Sequence, residues 1–576
     1  MRPSSWRGKR SMSRRLLMMC MSLLSLGGLV HCSKSPKEGA QPATATAAAT
    51  AAPKATAMTI AQEQQASWIR NFNPLLASNS SRWPTRAGVY EPLMIFNTLK
   101  GELVPWLATK HEWSEDNKKL TLTLRPGVKW SDGQPFTAKD VAFTFGLMKQ
   151  HKALDISAVW TFLDSVQAKD DATVEFTMTR AFVPGLIYIV HQPIVPEHKW
   201  KDVADPVMYK NETPVATGPF TEVKVFQNQV FELGRNPHYW QPGKPAVESI
   251  RFPAYPSNDQ ANLALLTGEL DWAGSFVPDI DRVFVAKDKE HNHYWFPLVG
   301  NTTVLYVNTT KKPFNDVRVR KALSMAIDRD QIVKVAMYGY TRPSDATALS
   351  DTHDRWRNPQ AVQAGDWTKL NIEKANAMLD EAGYKKGADG VRVGPDKKPL
   401  RFDVNVVTGW TDWVRAAQII TQNLKQVGVD AVLKTYDFSP YFERIQKGEF
   451  DASMGWTSEE PSPYFVYRDL MGTETLRPIG EVSARNWHRY GSKEADALLQ
   501  AFEATNDPEE QKKIAYQMQD LFVKNAPVIP LFPGPSWGEY STRRFTNFPN
   551  KDNPYAKLTP NTPPENLLVL VEVKPK

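Results

Sequence analysis

The stretch Phe402-Asp403-Val404-Asn405-Val406-Val407, then Trp413, Ala417, Ile420, Leu424 and Val427, then Gly428-Val429-Asp430-Ala431-Val432-Leu433, decides the fold class. In its first part apolar residues alternate, which predicts a strand with one buried face. In its second part they recur at spacings of four and three, the mark of one helical stripe. Gly428 suits the left-handed position that ends a helix. Residues 429–433 then predict a second strand. Strand, helix and strand in direct succession form the unit of an α/β lobe.

The pattern continues on either side. Asp507-Pro508 predicts an N-cap followed by proline at the first helical position, with Ile514, Met518, Leu521 and Phe522 on its buried face. Residues Asp316 to about Tyr338 predict one helix that groups Val319, Leu323, Ala326 and Ile327. Earlier in the chain, Leu120, Leu122 and Leu124 alternate, as do Val174, Phe176 and Met178, so two strands are expected there. Between them Asp132-Gly133 reads as a turn, and Thr137 with Asp140 as a capping box opening a helix to about Met148.

The first 32 residues stand apart. Arg2, Arg7, Lys9, Arg10, Arg14 and Arg15 precede an apolar run from Leu16 to Val30. That run is shorter than the ~20 residues of a membrane span and suits a signal-peptide core. The two cysteines of the chain, Cys20 and Cys32, both lie here, so no disulfide is expected in the mature domain. Leu29-Val30-His31-Cys32 resembles a bacterial lipobox, with histidine where a small residue is usual. Cys32 is accordingly the expected lipidation site and membrane anchor. A secreted form cleaved further along is the other reading. Residues 33–58, rich in Ala, Thr and Pro, read as a disordered tether.

Composition narrows the function. The net charge of +7 comes mostly from the leader, which carries six of the 70 Lys and Arg and none of the 63 Asp and Glu. A near-neutral body without a basic block is a poor partner for nucleic acid. With 576 residues, the chain exceeds a single core; at ~150 residues per domain it predicts three or four.

Three distant stretches join aromatic and short polar side chains: Gly268-Glu269-Leu270-Asp271-Trp272, Trp410-Thr411-Asp412-Trp413 and Gly455-Trp456-Thr457-Ser458-Glu459-Glu460-Pro461-Ser462-Pro463-Tyr464. No nucleophile, metal cage or phosphate loop accompanies them. Such groups suit holding a polar, elongated molecule. Gly534-Pro535-Ser536-Trp537-Gly538 matches a hydrolase nucleophile elbow, but no apolar helical stripe follows it. Glu459 and Glu460 are adjacent and would point apart, unlike the paired carboxylates of a glycosidase. His291-Asn292-His293 lacks further zinc ligands. The expectation is therefore no catalytic residue, no metal and no cofactor.

The motifs Tyr90-Glu91-Pro92-Leu93, Leu124-Arg125-Pro126-Gly127-Val128-Lys129-Trp130-Ser131-Asp132-Gly133, Pro135-Phe136-Thr137-Ala138-Lys139-Asp140-Val141, Thr217-Gly218-Pro219-Phe220, Arg235-Asn236-Pro237-His238-Tyr239-Trp240 and Val317 to Arg329 occur in this order. Together they closely resemble the solute-binding proteins of ABC importers, family 5, the dipeptide/oligopeptide-binding type, over roughly residues 65–570. The resemblance implies a two-lobed α/β periplasmic-binding-protein fold with a hinge and an extra inserted domain. It implies a discontinuous domain I (59–92, 217–307 and 528–576), domain II at 93–216 and domain III at 308–527. It also implies an extracytoplasmic monomer that closes on a small-molecule ligand and delivers it to a membrane permease and its ATPase.

In the peptide binders an Asp shortly after a Gly-Trp pair holds the peptide ammonium. Alignment on Gly455-Trp456 puts Glu459 there. Other local features are similar to the subgroup that binds cello- and manno-oligosaccharides, including Gly409-Trp410-Thr411-Asp412-Trp413 and Asn547-Phe548-Pro549. A pyranose C–H face stacks on indole while its hydroxyls need donors and acceptors. An oligosaccharide is the preferred ligand and an oligopeptide the alternative. The expected ligand contacts are Trp456, Glu459, Tyr464, Trp272, Trp410 and Trp537, with Trp68, Asn71 and Trp83 from the early chain. Trp413 starts the apolar stripe and is expected in the core.

Overall fold

The computed structural model describes residues 57–576 except 63 and 77–83. The leader, Cys32 and Trp83 lie outside the described residues, as does the expected tether up to 56. Its last two residues, Ala57 and Met58, instead belong to the strand Ala57–Ala61.

Three sheets organise the chain. The first is antiparallel, in the order Ala108–Trp113, Lys119–Leu124, Thr173–Met178, Leu163–Ala168. Leu120 faces Phe176 and Leu122 faces Val174, so both alternating sets fill one core. The helix Ala138–Gln150 covers them, with Phe145 edge-on to Phe176 at 5.1 Å. Its capping box forms as the sequence suggests: Asp140 accepts from the Thr137 N–H at 2.9 Å, and the Thr137 side chain caps the first turn.

The second sheet has seven strands. Its strand Ala57–Ala61 runs parallel to both Ser249–Pro253 and Trp272–Ala273, and Glu539–Ser541 pairs beyond them. Early, middle and late chain thus share one sheet.

The third sheet has five strands, in the order Asp430–Tyr436, Arg401–Val407, Ala452–Trp456, Thr302–Val307, Ile529–Pro533. Arg401–Val407 runs parallel to both of its neighbours. The helix Thr411–Gln426 lays Ala417, Ile420 and Leu424 on this sheet, and Gly428 follows with φ +78°. Thr302–Val307 and Ile529–Pro533, which the resemblance gives to domain I, are paired into the third sheet. An apolar strand reads alike whichever sheet receives it; the pairing partner is a tertiary matter.

The helix expected from Asp316 to about Tyr338 is interrupted. It runs Val317–Ala326, turns extended at Ile327, restarts at Arg329 and passes into a π-helix at Ile332–Ala336. Asp328 accepts from the Gln331 N–H at 2.8 Å and caps the restart, so its side chain competes with helix continuation. The break also delivers Arg329 to a buried position. Its guanidinium donates to the carbonyls of Pro530 (2.8 Å), Ser324 (3.0 Å) and Thr368 (2.7 Å), and to Ser324 Oγ (2.7 Å). Burial without a carboxylate partner lowers its pKa to about 9.

Two short segments, 295–301 and 534–538, link the second and third sheets side by side. Trp295 N–H donates to Gly538 O (2.9 Å), Ser536 N–H to Pro297 O (2.9 Å) and Gly534 N–H to Asn301 O (2.7 Å). A Cβ on Gly300 would meet Gly534 O at 2.9 Å, so only glycine permits this approach.

Replacing Arg329 by Met should leave several buried carbonyls unpaired and destabilise the protein by about 3 kcal/mol. Urea denaturation of the purified domain measures it; a loss below the error of that method would show that the guanidinium is not a tie.

Candidate functional site

A cavity of about 270 Å³ opens where the linker pair meets both sheets. Its position follows from the strand directions. Arg401–Val407 and Ala452–Trp456 are parallel, with Val404 opposite Ala452, so both end on the same edge of the sheet. Trp456 closes one strand, and Trp410 stands where the other passes into its helix. Ligand crevices in open α/β sheets lie outside such carboxyl ends.

The wall on this side is aromatic. Trp410 and Trp456 lie 6.1 Å apart, and Trp410 meets Trp413 edge-on at 5.0 Å. Phe442 stacks on Trp456 at 6.1 Å with planes 4° apart, and Phe438 stacks on Phe442 at 5.5 Å. Phe438 and Phe442 sit one helical turn apart on Phe438–Lys447, which aligns their rings. Trp413 is largely core, as expected, yet its edge still reaches the cavity. Across the opening, Trp537 comes from the linker and packs edge-on against Phe276 at 5.6 Å.

The other wall is polar. Ser275, Asn561 and Thr562 line it. Asn561 Nδ2 donates to Gly274 O at 2.8 Å, but its Oδ1 and the Thr562 Oγ1 are buried without a hydrogen-bond partner. A hydroxyl oxygen and an amide oxygen without a protein partner suit a polar guest that donates hydrogen bonds. Asp412, at the helix start, hydrogen-bonds the Asn258 side chain, and burial raises its pKa to about 6. Glu459 is already engaged. Asn301 Nδ2 donates to its Oε1 at 2.8 Å and Lys557 Nζ to its Oε2 at 3.3 Å.

Of the residues expected from sequence, Trp456, Glu459, Trp410 and Trp537 converge on the cavity. Others do not. Tyr464 is fully buried in the helix Pro463–Met471; it donates to Glu503 Oε1 at 2.7 Å and stacks on Phe502. The prolines after Glu460 start a helix that carries its ring away from the opening. Trp272 is fully buried in the second sheet, where its Nε1 donates to Leu558 O at 2.8 Å. Trp68 packs edge-on against Phe231 at 5.0 Å in the core. Asn71 Oδ1 accepts from the Asn73 N–H in a local turn. From the early chain it is Gln64 that reaches the cavity.

Phe276, Asn301, Phe438, Phe442, Asn561 and Thr562 also line the cavity without having been expected from sequence, and Lys557 stands behind Glu459. The i, i+4 spacing of Phe438 and Phe442 is a local sequence signal that sets both rings on one helix face. Nothing local marks the others. The segment 534–538 is followed by the strand Glu539–Ser541, whereas a hydrolase elbow requires a helix there.

The chain matches the family described as "Bacterial extracellular solute-binding proteins, family 5 Middle" over residues 102–475, and it belongs to that family. It is thus a substrate-binding protein of an ABC importer, a class that hands small ligands to a permease and ATPase and is not enzymatic. Such proteins are extracytoplasmic; no helix among the described residues is long and apolar enough to cross a membrane. The dipeptide-binding protein of Escherichia coli (strain K12) is 28% identical over 508 residues, covering 82% of this chain and 90% of that one. The nickel-binding periplasmic protein of the same organism is 28% identical over 63% of this chain and 68% of its own. Among solved structures, a mannohexaose-bound periplasmic oligopeptide-binding protein from Thermotoga maritima superposes with a TM-score of 0.83 at 27% identity, covering 91% of this chain and all of that one.

Trp456→Ala should weaken ligand affinity about ten- to a hundredfold, the usual worth of a stacking indole, and leave the fold intact. Tyr464→Phe should behave oppositely, lowering stability by about 1 kcal/mol with affinity unchanged. Calorimetric titration alongside thermal melting separates the two; an affinity loss for Tyr464→Phe would place that residue at the ligand.

Proposed function

We propose that this protein captures an oligosaccharide of the cello- or manno- type between its second and third sheets and releases it unchanged to the permease. The observation that carries the reading is the composition of the two walls. Five aromatic rings stand on one side, two of them stacked with nearly parallel planes, and unpaired polar atoms on the other. Sugar rings have just these needs: apolar C–H faces and many hydroxyls that both donate and accept. The mannohexaose bound by the Thermotoga maritima neighbour supports the same class. Trp456, Glu459, Trp410 and Trp537 would be the ligand contacts.

Capture follows from the paired linkers. A ligand that touches both walls binds the closed arrangement better than the open one and shifts the population towards it. We further propose that the protein works as a monomer, anchored through lipid on Cys32, with domain II spanning residues 93–216. An oligopeptide is the second reading, favoured by the identity to the dipeptide-binding protein.

A thermal-shift screen of the mature domain against cello-, manno- and xylo-oligosaccharides and di- to pentapeptides tests the ligand class. Stabilisation by one or more of the sugars is the expected result. Stabilisation by peptides alone would replace this reading with the second.

A further inference from the structure

Glu459 and Asp412 are the ionisable groups on the cavity wall. Each is engaged by a neighbour, Asp412 by the Asn258 side chain and Glu459 by Asn301 and Lys557. Burial keeps the Asp412 carboxyl protonated to higher pH than usual. Glu459 is held by Lys557, whose side chain is only 4% exposed. Lys557 also stands 3.7 Å from Glu565. That second carboxylate has donors of its own: the Thr98 N–H at 3.2 Å, the Lys557 N–H at 3.3 Å and the Thr98 hydroxyl. The ammonium is therefore directed more closely to Glu459 than to Glu565. The network ties segment 98, segment 301, segment 459 and segments 557–565 together behind the site.

We propose that Lys557 is a specificity-determining residue, a built-in ammonium that occupies Glu459 and turns the cavity towards uncharged ligands. A ligand cation approaching Glu459 would share its oxygens with Lys557, and the ammonium beside them offsets much of the attraction the carboxylate would otherwise offer. A ligand hydroxyl meets no such barrier. The carboxylate has lone pairs left after Asn301 and Lys557 are served, and a hydroxyl donates to them at no cost in charge. The inference rests on the cavity being the ligand site and deepens the sugar reading. It also gives Lys557 a role that no local sequence feature suggests.

The test compares cellotetraose with β-1,4-linked tetraglucosamine by calorimetry at mildly acidic pH. The two differ by a hydroxyl against an ammonium on each ring. The wild type should bind the neutral sugar at least tenfold more tightly. Lys557→Met should reverse or abolish that preference. Because this variant leaves carboxylates unbalanced and risks misfolding, the charge-balanced pair Lys557→Met with Glu459→Gln serves as the second variant; it should bring the two affinities within about threefold, near the scatter expected for one weak interaction. Equal or tighter binding of tetraglucosamine by the wild type, or a wild-type preference retained in the double variant, overturns the proposal. If neither sugar binds, the sugar reading fails, and tri-alanine with a free or an acetylated amino terminus reads the same preference. Tighter binding of the acetylated peptide upholds the role of Lys557, and tighter binding of the free peptide overturns it. Absence of binding by all four ligands overturns both readings.

Discussion

The parallel pairing of Arg401–Val407 with Ala452–Trp456 is the constraint on which the site depends. Because the two strands run the same way, their carboxyl ends reach one edge, and Trp410 and Trp456 arrive together from positions far apart in the chain. An antiparallel pairing would have sent them to opposite edges. The register then sets the rest of the wall. The segment after Tyr436 starts its helix beside the same edge and turns Phe442 onto Trp456 and Phe438 onto Trp410.

The linkers complete the geometry. Thr302–Val307 and Ile529–Pro533 are neighbours in the third sheet, so the segments leading out of them run side by side to the second. The close approach at Gly300 and Gly534 leaves Asn301 and Trp537 facing the cavity. The same residues that join the two sheets therefore line the site. Movement of one sheet against the other must alter the cavity lining, and the proposed capture by closure rests on that coupling.

The motifs that reveal the family lie away from the cavity, and the structure explains them by packing. Glu91 is buried, and its carboxylate accepts from Trp106 Nε1 at 2.7 Å, the Tyr239 hydroxyl at 3.0 Å and Trp240 Nε1 at 3.2 Å. Burial raises its pKa to about 7 despite these donors. Three motif residues, Glu91, Tyr239 and Trp240, thus form one buried knot. Arg329, the last residue of another motif, joins a helix break to a strand through backbone carbonyls. Buried polar groups need specific partners, whereas a ligand wall can change with the ligand. The family was accordingly readable from residues that do not line the cavity.

The sequence by itself determined the local elements: the alternating strands around Leu122 and Phe176, the capped helix after Thr137, the stripe from Trp413 to Leu424 and the start at Asp507-Pro508. These depend on periodicity and on capping groups a few residues away, so a linear reading captures them. It also singled out Trp410, Trp456, Glu459 and Trp537. It could not separate them from Trp272, Tyr464 and Trp68, because an indole or phenol in a core and one on a cavity wall have the same local signature. Nor could it see that Asp328 would interrupt a helix, or that Lys557 would meet Glu459 across nearly a hundred residues. Only tertiary structure decided these, because they turn on which strand pairs with which and on the space left between sheets. Those are long-range choices that no window of neighbouring residues contains.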